Sequence, residues 1–181
     1  NGTGILNSWL RKQFFPNLDY PMLNQLAAAA PVGSDGLMFY PFGNGAERVL
    51  ENANPGAGLK GLSFNRHSAA HIARAAQEGI VFSLHYGMEI MQTMGMPLNT
   101  IKAGFANMFL SDIFANAFSS LTGCAIELYN TDGSIGAARG AGLGSGLYTN
   151  NAEAFKGMQI VKSFHPDNAS QSIYQDAYNQ W

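Results

Sequence analysis

Two strand-to-helix turns constrain the fold of this chain more than any other feature. Each is a short β-prone run that ends in glycine and passes into a helix rich in small residues. The first spans residues 99–111 around Gly104, and the second spans residues 126–140 around Gly133. Glycine lets a ligand approach bare backbone, and the following helix directs free N–H groups at that ligand. Two such turns in tandem predict a nucleotide cleft.

The remaining sequence alternates between helical and extended patterns. Hydrophobic spacing and capping residues predict helices over 4–15, 20–30, 68–92, 107–121, 134–142, 150–158 and 167–181. Short apolar runs predict strands over 37–40, 59–64, 100–103 and 125–128, with an irregular segment over 43–58. Pro41 is expected to end the first strand. Strands separated by helices indicate an α/β domain whose helices pack on a largely parallel sheet.

Composition narrows the classes of function. The 181 residues suit one domain or part of a larger one. Only 12% of the residues are charged, which predicts a surface covered by another domain or subunit. A net charge of −2 without a basic run argues against a nucleic-acid partner. The single cysteine, Cys124, excludes an internal disulfide, fits a reducing compartment and is interpreted as a buried structural thiol.

No signal peptide or bilayer-length apolar run is found, so we expect a soluble, cytoplasmic chain without a membrane partner. Its start at a helix without a leading strand suggests a fragment.

His67 and His71 could share a metal on one helix face, but the lack of a third ligand favours polar first-turn residues. His85, in the middle of a helix, is expected to be a core or surface residue.

Two further motifs have alternative interpretations. The glycine-rich run over 139–146 has the wrong spacing for a dinucleotide fingerprint, and it ends a helix instead of following a strand. It is therefore expected to pack a helix closely on the sheet. Asp132 either contacts ribose, phosphate or magnesium, or forms a turn or helix cap.

Five segments, in order along the chain, resemble motifs of the FGGY carbohydrate kinases. Residues 57–62 with 71–79 resemble the family's C-terminal signature, although Gln77 stands where an apolar residue is usual and is expected to face solvent. The other four resemble a nucleotide-facing helix, a Gly-Glu-Arg loop with Ala46 added, the turn at adenine and the α-phosphate, and a closing Gly-Ala-Ala helix. They cover residues 4–11, 43–48, 104–110 and 132–138.

The resemblance implies an actin-like, ribonuclease H-like ATPase fold, apparently without its leading strands. Residues 1–181 would be the C-terminal nucleotide-binding domain of a two-domain sugar kinase, most similar to the xylulokinases. Its ligand would be ATP with Mg²⁺ carried by the nucleotide, and no residue here would bind metal directly. The implied ATP-binding residues are Gly4, Ser8, Gly104, Phe105, Ala106, Asn107, Asp132 and Gly133.

The same resemblance places the sugar site and the catalytic aspartate upstream, in an N-terminal domain of the same protein. We therefore expect no catalytic residue in this chain and no activity of the chain alone. Glu47 and Arg48 would lie on a loop that faces the partner domain and the sugar. A homodimer is also compatible with the sequence. The alternatives are a non-catalytic nucleotide-binding or interaction module of the same fold and, with less support, a Rossmann-type nucleotide enzyme.

Overall fold

The structure is a computed structural model that describes residues 3–46 and 50–181. Its helices are α1 (Thr3–Phe14), α2 (Tyr20–Ala28), α3 (Ala69–Thr93), α4 (Asp112–Thr122), α5 (Gly133–Gly144), α6 (Asn151–Ala154) and α7 (Asn168–Gln180). Its strands are β1 (Met38–Phe42), β2 (Gly56–Lys60), β3 (Thr100–Gly104), β4 (Ala125–Tyr129) and β5 (Ile160–Phe164). Short 3₁₀ turns occupy Ser34–Gly36 and Asn107–Leu110. The α/β class predicted from the sequence is confirmed.

The described strands form two small sheets, and the larger one is mixed instead of largely parallel. β1 and β2 make an antiparallel pair, while the second sheet has the order β3-β4-β5. β3 and β4 are parallel, and β5 runs antiparallel to β4. β5 was missed in the sequence because most of its residues are exposed and its apolar pattern is short.

Four boundaries differ clearly from the sequence prediction, and one of them is that the helix expected over 150–158 already ends at Ala154. β1 continues through Pro41, which is tolerated because the two-stranded sheet consists only of edge strands. β2 begins at Gly56, so part of the segment expected to be irregular is paired with β1. The helix expected over 107–121 is divided at Ser111, which caps α4 after a 3₁₀ turn.

The long helix α3 is the centre of the core. Ser68 caps it as predicted, and ten consecutive residues, 73–82, are buried. Helices α2 and α4 and strand β1 all pack on α3. Gly79 permits the approach of β1, since a Cβ there would overlap the carbonyl oxygen of Phe39. Residues 73–82 of α3 are therefore enclosed on several sides and lack the solvent face of a surface helix, whereas Leu84, Tyr86 and Ile90 further along are partly exposed.

Burial corrects the prediction for Gln77 and for the glycine-rich run. Gln77 is 0% exposed, because α2 and α4 cover the side of α3 that was expected to face solvent. In α5 the only buried residue is Gly142, which packs against the ring of Tyr148 and not against the sheet. Cys124 is buried as expected, and its Sγ donates to the Leu98 carbonyl oxygen at 3.3 Å. No helix in the two described ranges is both long and apolar enough to cross a membrane.

A buried ion pair joins α3 to its neighbours. Arg74 Nε donates to Glu78 Oε1 at 2.8 Å, and both side chains are less than a tenth exposed. The guanidinium also donates to the Ala30 carbonyl and the Tyr174 hydroxyl. The Glu78 carboxylate accepts from the Gly33 N–H and the Ser34 hydroxyl. The pair thus links α2, the 34–36 turn, α3 and α7.

His85 makes the stability of the fold depend on pH. It is buried in α3 against the Tyr178 ring, and burial lowers its pKa despite the Glu89 carboxylate 3.6 Å away. The unfolded chain therefore binds a proton on His85 more readily than the folded chain does. The contribution of neutral His85 to the free energy of unfolding is complete above about pH 6.5 and is lost as the pH falls below that value. We expect His85→Leu to weaken the fall in unfolding free energy between pH 7.5 and 5.5, measured by urea denaturation.

The matched control for this measurement is His165→Leu, because His165 is exposed. That variant should keep the pH dependence of the parent protein. An unchanged pH slope in His85→Leu would show that other groups control the acid sensitivity.

Candidate functional site

The parallel pairing of β3 and β4 brings the two glycine turns together at one edge of the sheet. Gly104 lies opposite Tyr129 in the register, so both strands end at the same level. A Cβ on Gly104 would overlap the Thr131 carbonyl oxygen. The Tyr129 carbonyl accepts from the Phe105 N–H at 2.8 Å and from the Thr131 N–H at 2.7 Å. One carbonyl therefore ties the two turns into a single unit.

The first turn holds an unusual backbone conformation. Asn107 has φ +54°, in the left-handed region, which asparagine tolerates better than most residues. The Ala106 N–H donates to the Gly104 carbonyl at 2.8 Å, and the Ser111 N–H donates to the Met108 carbonyl at 3.0 Å. These bonds fold the turn back over the end of β3 before α4 begins.

The second turn places a carboxylate at the start of α5. Asp132 Oδ1 accepts from the Ser134 hydroxyl at 2.6 Å and from the Ile135 N–H at 2.9 Å. These hydrogen bonds lower the pKa of Asp132, and the bond from Ser134 has the largest effect. The carboxylate is therefore ionised at neutral pH. The helix-cap interpretation of Asp132 is thus confirmed. The side chain is also exposed at the site, so capping leaves it accessible to a ligand.

A cavity of about 350 Å³ lies between the two turns. Its lining consists of Gly4, Leu84, Gly104, Ala106, Asn107, Met108, Phe109, Phe114, Asp132 and Gly133. Six of the eight residues predicted to bind ATP are among them. α5 begins at this cavity, and the N-terminus of a helix attracts negative charge.

Two predicted site residues lie away from this lining. The Ser8 hydroxyl lies beside Tyr20 and lowers the pKa of that tyrosine. Phe105 is 42% exposed and does not line the cavity. Glu47 and Arg48 lie outside the described residues. The apolar lining residues from α3 and α4 were missed, since only tertiary packing brings them to the turns.

The histidine pair is part of the scaffold around the start of α3. His71 Nδ1 accepts from the Ser68 N–H at 3.1 Å, and its Nε2 lies 3.1 Å from the Asp35 carboxylate. His67 Nδ1 accepts from the Ser63 N–H at 2.9 Å. Within residues 3–46 and 50–181, no group of three or more His, Cys, Asp or Glu side chains is arranged to hold a metal ion. His71 is a polar residue of the first turn of α3, as predicted, whereas His67 lies before the cap Ser68, so the two histidines do not share a helix face.

Comparison of the sequence with known proteins gives consistent matches. The model of the FGGY family of carbohydrate kinases, C-terminal domain, matches residues 1–144. A xylulose kinase of Staphylococcus epidermidis is 30% identical over 97% of this chain and 36% of its own length. A gluconokinase of Bacillus subtilis is 30% identical over 72% of this chain and 30% of its own length. The chain thus spans about a third of the length of these relatives.

Solved structures share the fold over nearly the whole chain. The ligand-bound xylulose kinase of Lactobacillus acidophilus has a TM-score of 0.85 at 24% identity and matches 99% of this chain and 36% of its own. The glycerol kinase of Plasmodium falciparum, solved with ADP, has a TM-score of 0.71 at 23% identity and matches 99% of this chain and 36% of its own. The predicted actin-like ATPase architecture is confirmed by these likenesses.

Proposed function

We propose that this chain, which belongs to the C-terminal domain of the FGGY family of carbohydrate kinases, forms the ATP-binding half of a sugar kinase. The observation that carries this proposal is the convergence of Gly104 and Asp132-Gly133 on one cavity. When bound, ATP supplies the phosphoryl group for transfer to a sugar hydroxyl. The residues of this chain bind and orient the nucleotide.

The lining of the cavity has the chemistry that a nucleotide requires. Leu84, Met108 and Phe109 offer apolar contacts to a base, while Gly104 and Ala106 leave backbone accessible. The ionised Asp132 carboxylate is an acceptor for hydroxyl groups and repels phosphate, which favours ribose as its partner. The residues present therefore fit ATP, and we propose that Mg²⁺ arrives with its phosphates.

D-xylulose is the substrate that we propose for the complete protein. The support is the 30% identity to a xylulose kinase over nearly the whole chain. A gluconokinase reaches the same identity over a shorter part, so the substrate needs a direct test. Phosphorylation of D-xylulose, D-gluconate and glycerol by the full-length protein should be compared, and a preference for either of the last two would overturn this choice.

The proposed partner is an N-terminal sugar-binding domain of the same protein, which would provide the catalytic base. The relatives are about three times as long as this chain, which leaves room for such a domain. A second cavity of about 520 Å³ between α1 and the β1-β2 pair has an apolar lining that includes Ile5, Trp9 and Leu59. These side chains are about half exposed, as expected of a surface that another domain covers.

Asp132 provides the sharpest test of the nucleotide site. Replacing it by serine keeps a helix-capping oxygen but removes the charge. Because a charged acceptor makes a stronger hydrogen bond than a neutral one, Asp132→Ser should weaken ADP binding to the full-length protein about 10-fold. Isothermal titration calorimetry measures this effect.

The matched control is Asp167→Ser, since Asp167 also caps a helix, α7, and lies away from the cavity. It should leave ADP affinity within about twofold of the parent value. Absence of ADP binding by the correctly folded full-length protein would favour the alternative, a non-catalytic interaction module. Equal weakening by both variants would locate the nucleotide elsewhere.

A further inference from the structure

We propose that Gln77 is a positioning residue for the nucleotide cleft and that it acts through Ser111 on the turn that forms one wall. This inference rests on the proposed function, since it concerns how the same cavity is held in shape. Gln77 lies on the central helix α3 and does not line the cavity itself. Its side chain is nevertheless hydrogen-bonded to the residue at which the turn becomes α4.

The amide of Gln77 is fully buried and bonded at both ends. Its Nε2 donates to Asn24 Oδ1 in α2 at 3.0 Å. Its Oε1 accepts from the Ser111 hydroxyl at 2.6 Å. A buried amide is stable only when such partners are present, so these contacts fix the side chain in one orientation. The bonds therefore connect α2, α3 and the start of α4.

Ser111 transmits this connection to the wall of the cavity. It is 4% exposed, its hydroxyl accepts from the Phe114 N–H at 3.4 Å, and its own N–H donates to the Met108 carbonyl at 3.0 Å. Met108 and Phe114 both line the cavity. The Phe109 ring meets the Phe114 ring edge to face, with centroids 5.3 Å apart. A displacement of Ser111 would therefore move the lining on both sides of it.

The turn needs such an anchor because its backbone is strained. Asn107, which lines the cavity, has φ +54°, and a conformation of this kind persists only when the surrounding contacts enforce it. Towards β3, the turn is held by the hydrogen bond that the Phe105 N–H donates to the Tyr129 carbonyl. Towards α4, the side-chain anchor is Ser111 with Gln77 behind it. Gln77 thus completes the support of a turn whose other end is fixed by the sheet.

An apolar side chain at position 77 could fill the same buried space without an unpaired amide. A polar residue there has a use when its oxygen orients a partner, and here that partner is the N-cap of α4. The contact with Asn24 orients the amide from the other side but is remote in the chain from the cavity wall. This separation allows positioning of the cleft to be distinguished from general support of the core.

The test uses the full-length protein and the variants Gln77→Leu, Ser111→Ala and Asn24→Ala. Gln77→Leu and Ser111→Ala should each raise KM for ATP about tenfold and leave KM for the sugar unchanged. The double variant should be no worse than Ser111→Ala alone, because both changes remove one connection. Asn24→Ala should lower the unfolding midpoint but keep KM for ATP within about twofold.

ADP binding by the parent protein is measured first by calorimetry. No binding by the parent protein overturns both the proposed function and this inference. Normal binding by the parent with an unchanged KM for ATP in Gln77→Leu overturns this inference alone. Should Gln77→Leu fail to fold, Ser111→Ala decides: a tenfold rise in KM for ATP supports the proposal, and an unchanged value overturns it. An equal rise in KM for ATP in the Asn24→Ala variant would overturn the proposal, because it would indicate that Gln77 only supports the core.

Discussion

A Gly104→Ala substitution in the full-length protein should lower its affinity for ADP about 100-fold. The added Cβ would overlap the Thr131 carbonyl oxygen and would also lie 3.2 Å from the Asp132 Cα. These are backbone atoms and cannot rotate away, so the two turns must separate. A misplacement of about 1 Å in an active site costs about 100-fold in rate, and we expect a loss of similar size in ADP affinity. Calorimetry with ADP, combined with circular dichroism to verify folding, measures the effect.

The matched control for this substitution is Gly140→Ala in α5. A Cβ at Gly140 meets no atom within 4 Å, so the substitution introduces no clash. It should preserve ADP binding and add up to about 1 kcal/mol of helix stability, since alanine is the better helix former. Binding by a folded Gly104→Ala protein within about threefold of the parent value would contradict the assignment of the cleft.

That the two glycine turns meet at one cavity was predictable, because the sequence signals for each turn are local. Each turn combines a β-prone run, a glycine and a helix start within about a dozen residues, and such patterns define local structure without tertiary information. Parallel pairing of the two strands then suffices to bring Gly104 and Asp132 together. The cap at Asp132 was likewise visible as an Asp-Gly pair before a small-residue helix.

The errors share a different physical cause. Gln77 was expected on a solvent face because a helix of ordinary amphipathic pattern has one, but α3 is covered from several sides. The extent of β1 past Pro41 depends on its pairing with Ala57 and Gly56, which local patterns placed in an irregular segment. Tertiary packing likewise decides that Leu84 reaches the cavity. Residues whose environment is set by distant segments are thus the ones that local patterns misplace.

The buried ion pair of α3 should have the largest effect on stability. Arg74→Met should lower the unfolding free energy by about 3–5 kcal/mol, because it leaves the Glu78 carboxylate buried without its cation. Lys162→Met is the matched control. Lys162 also pairs with a carboxylate, that of Asp112, at 2.6 Å, but both side chains are substantially exposed. The free energy of unfolding of this control should fall by less than about 1 kcal/mol in the same urea titration.

The pH dependence of the Arg74→Met variant distinguishes an unpaired charge from a simple packing defect. Burial already raises the pKa of Glu78, and removing the guanidinium removes its strongest opposing influence. The native variant should therefore hold a proton that the unfolded chain, with an ordinary glutamate pKa of about 4.3, releases. Its stability must then fall as the pH rises above that value, so the deficit relative to the parent should be larger at pH 8 than at pH 5. Equal deficits at both pH values would mean that Arg74 acts through the packing of its side chain and not through its charge.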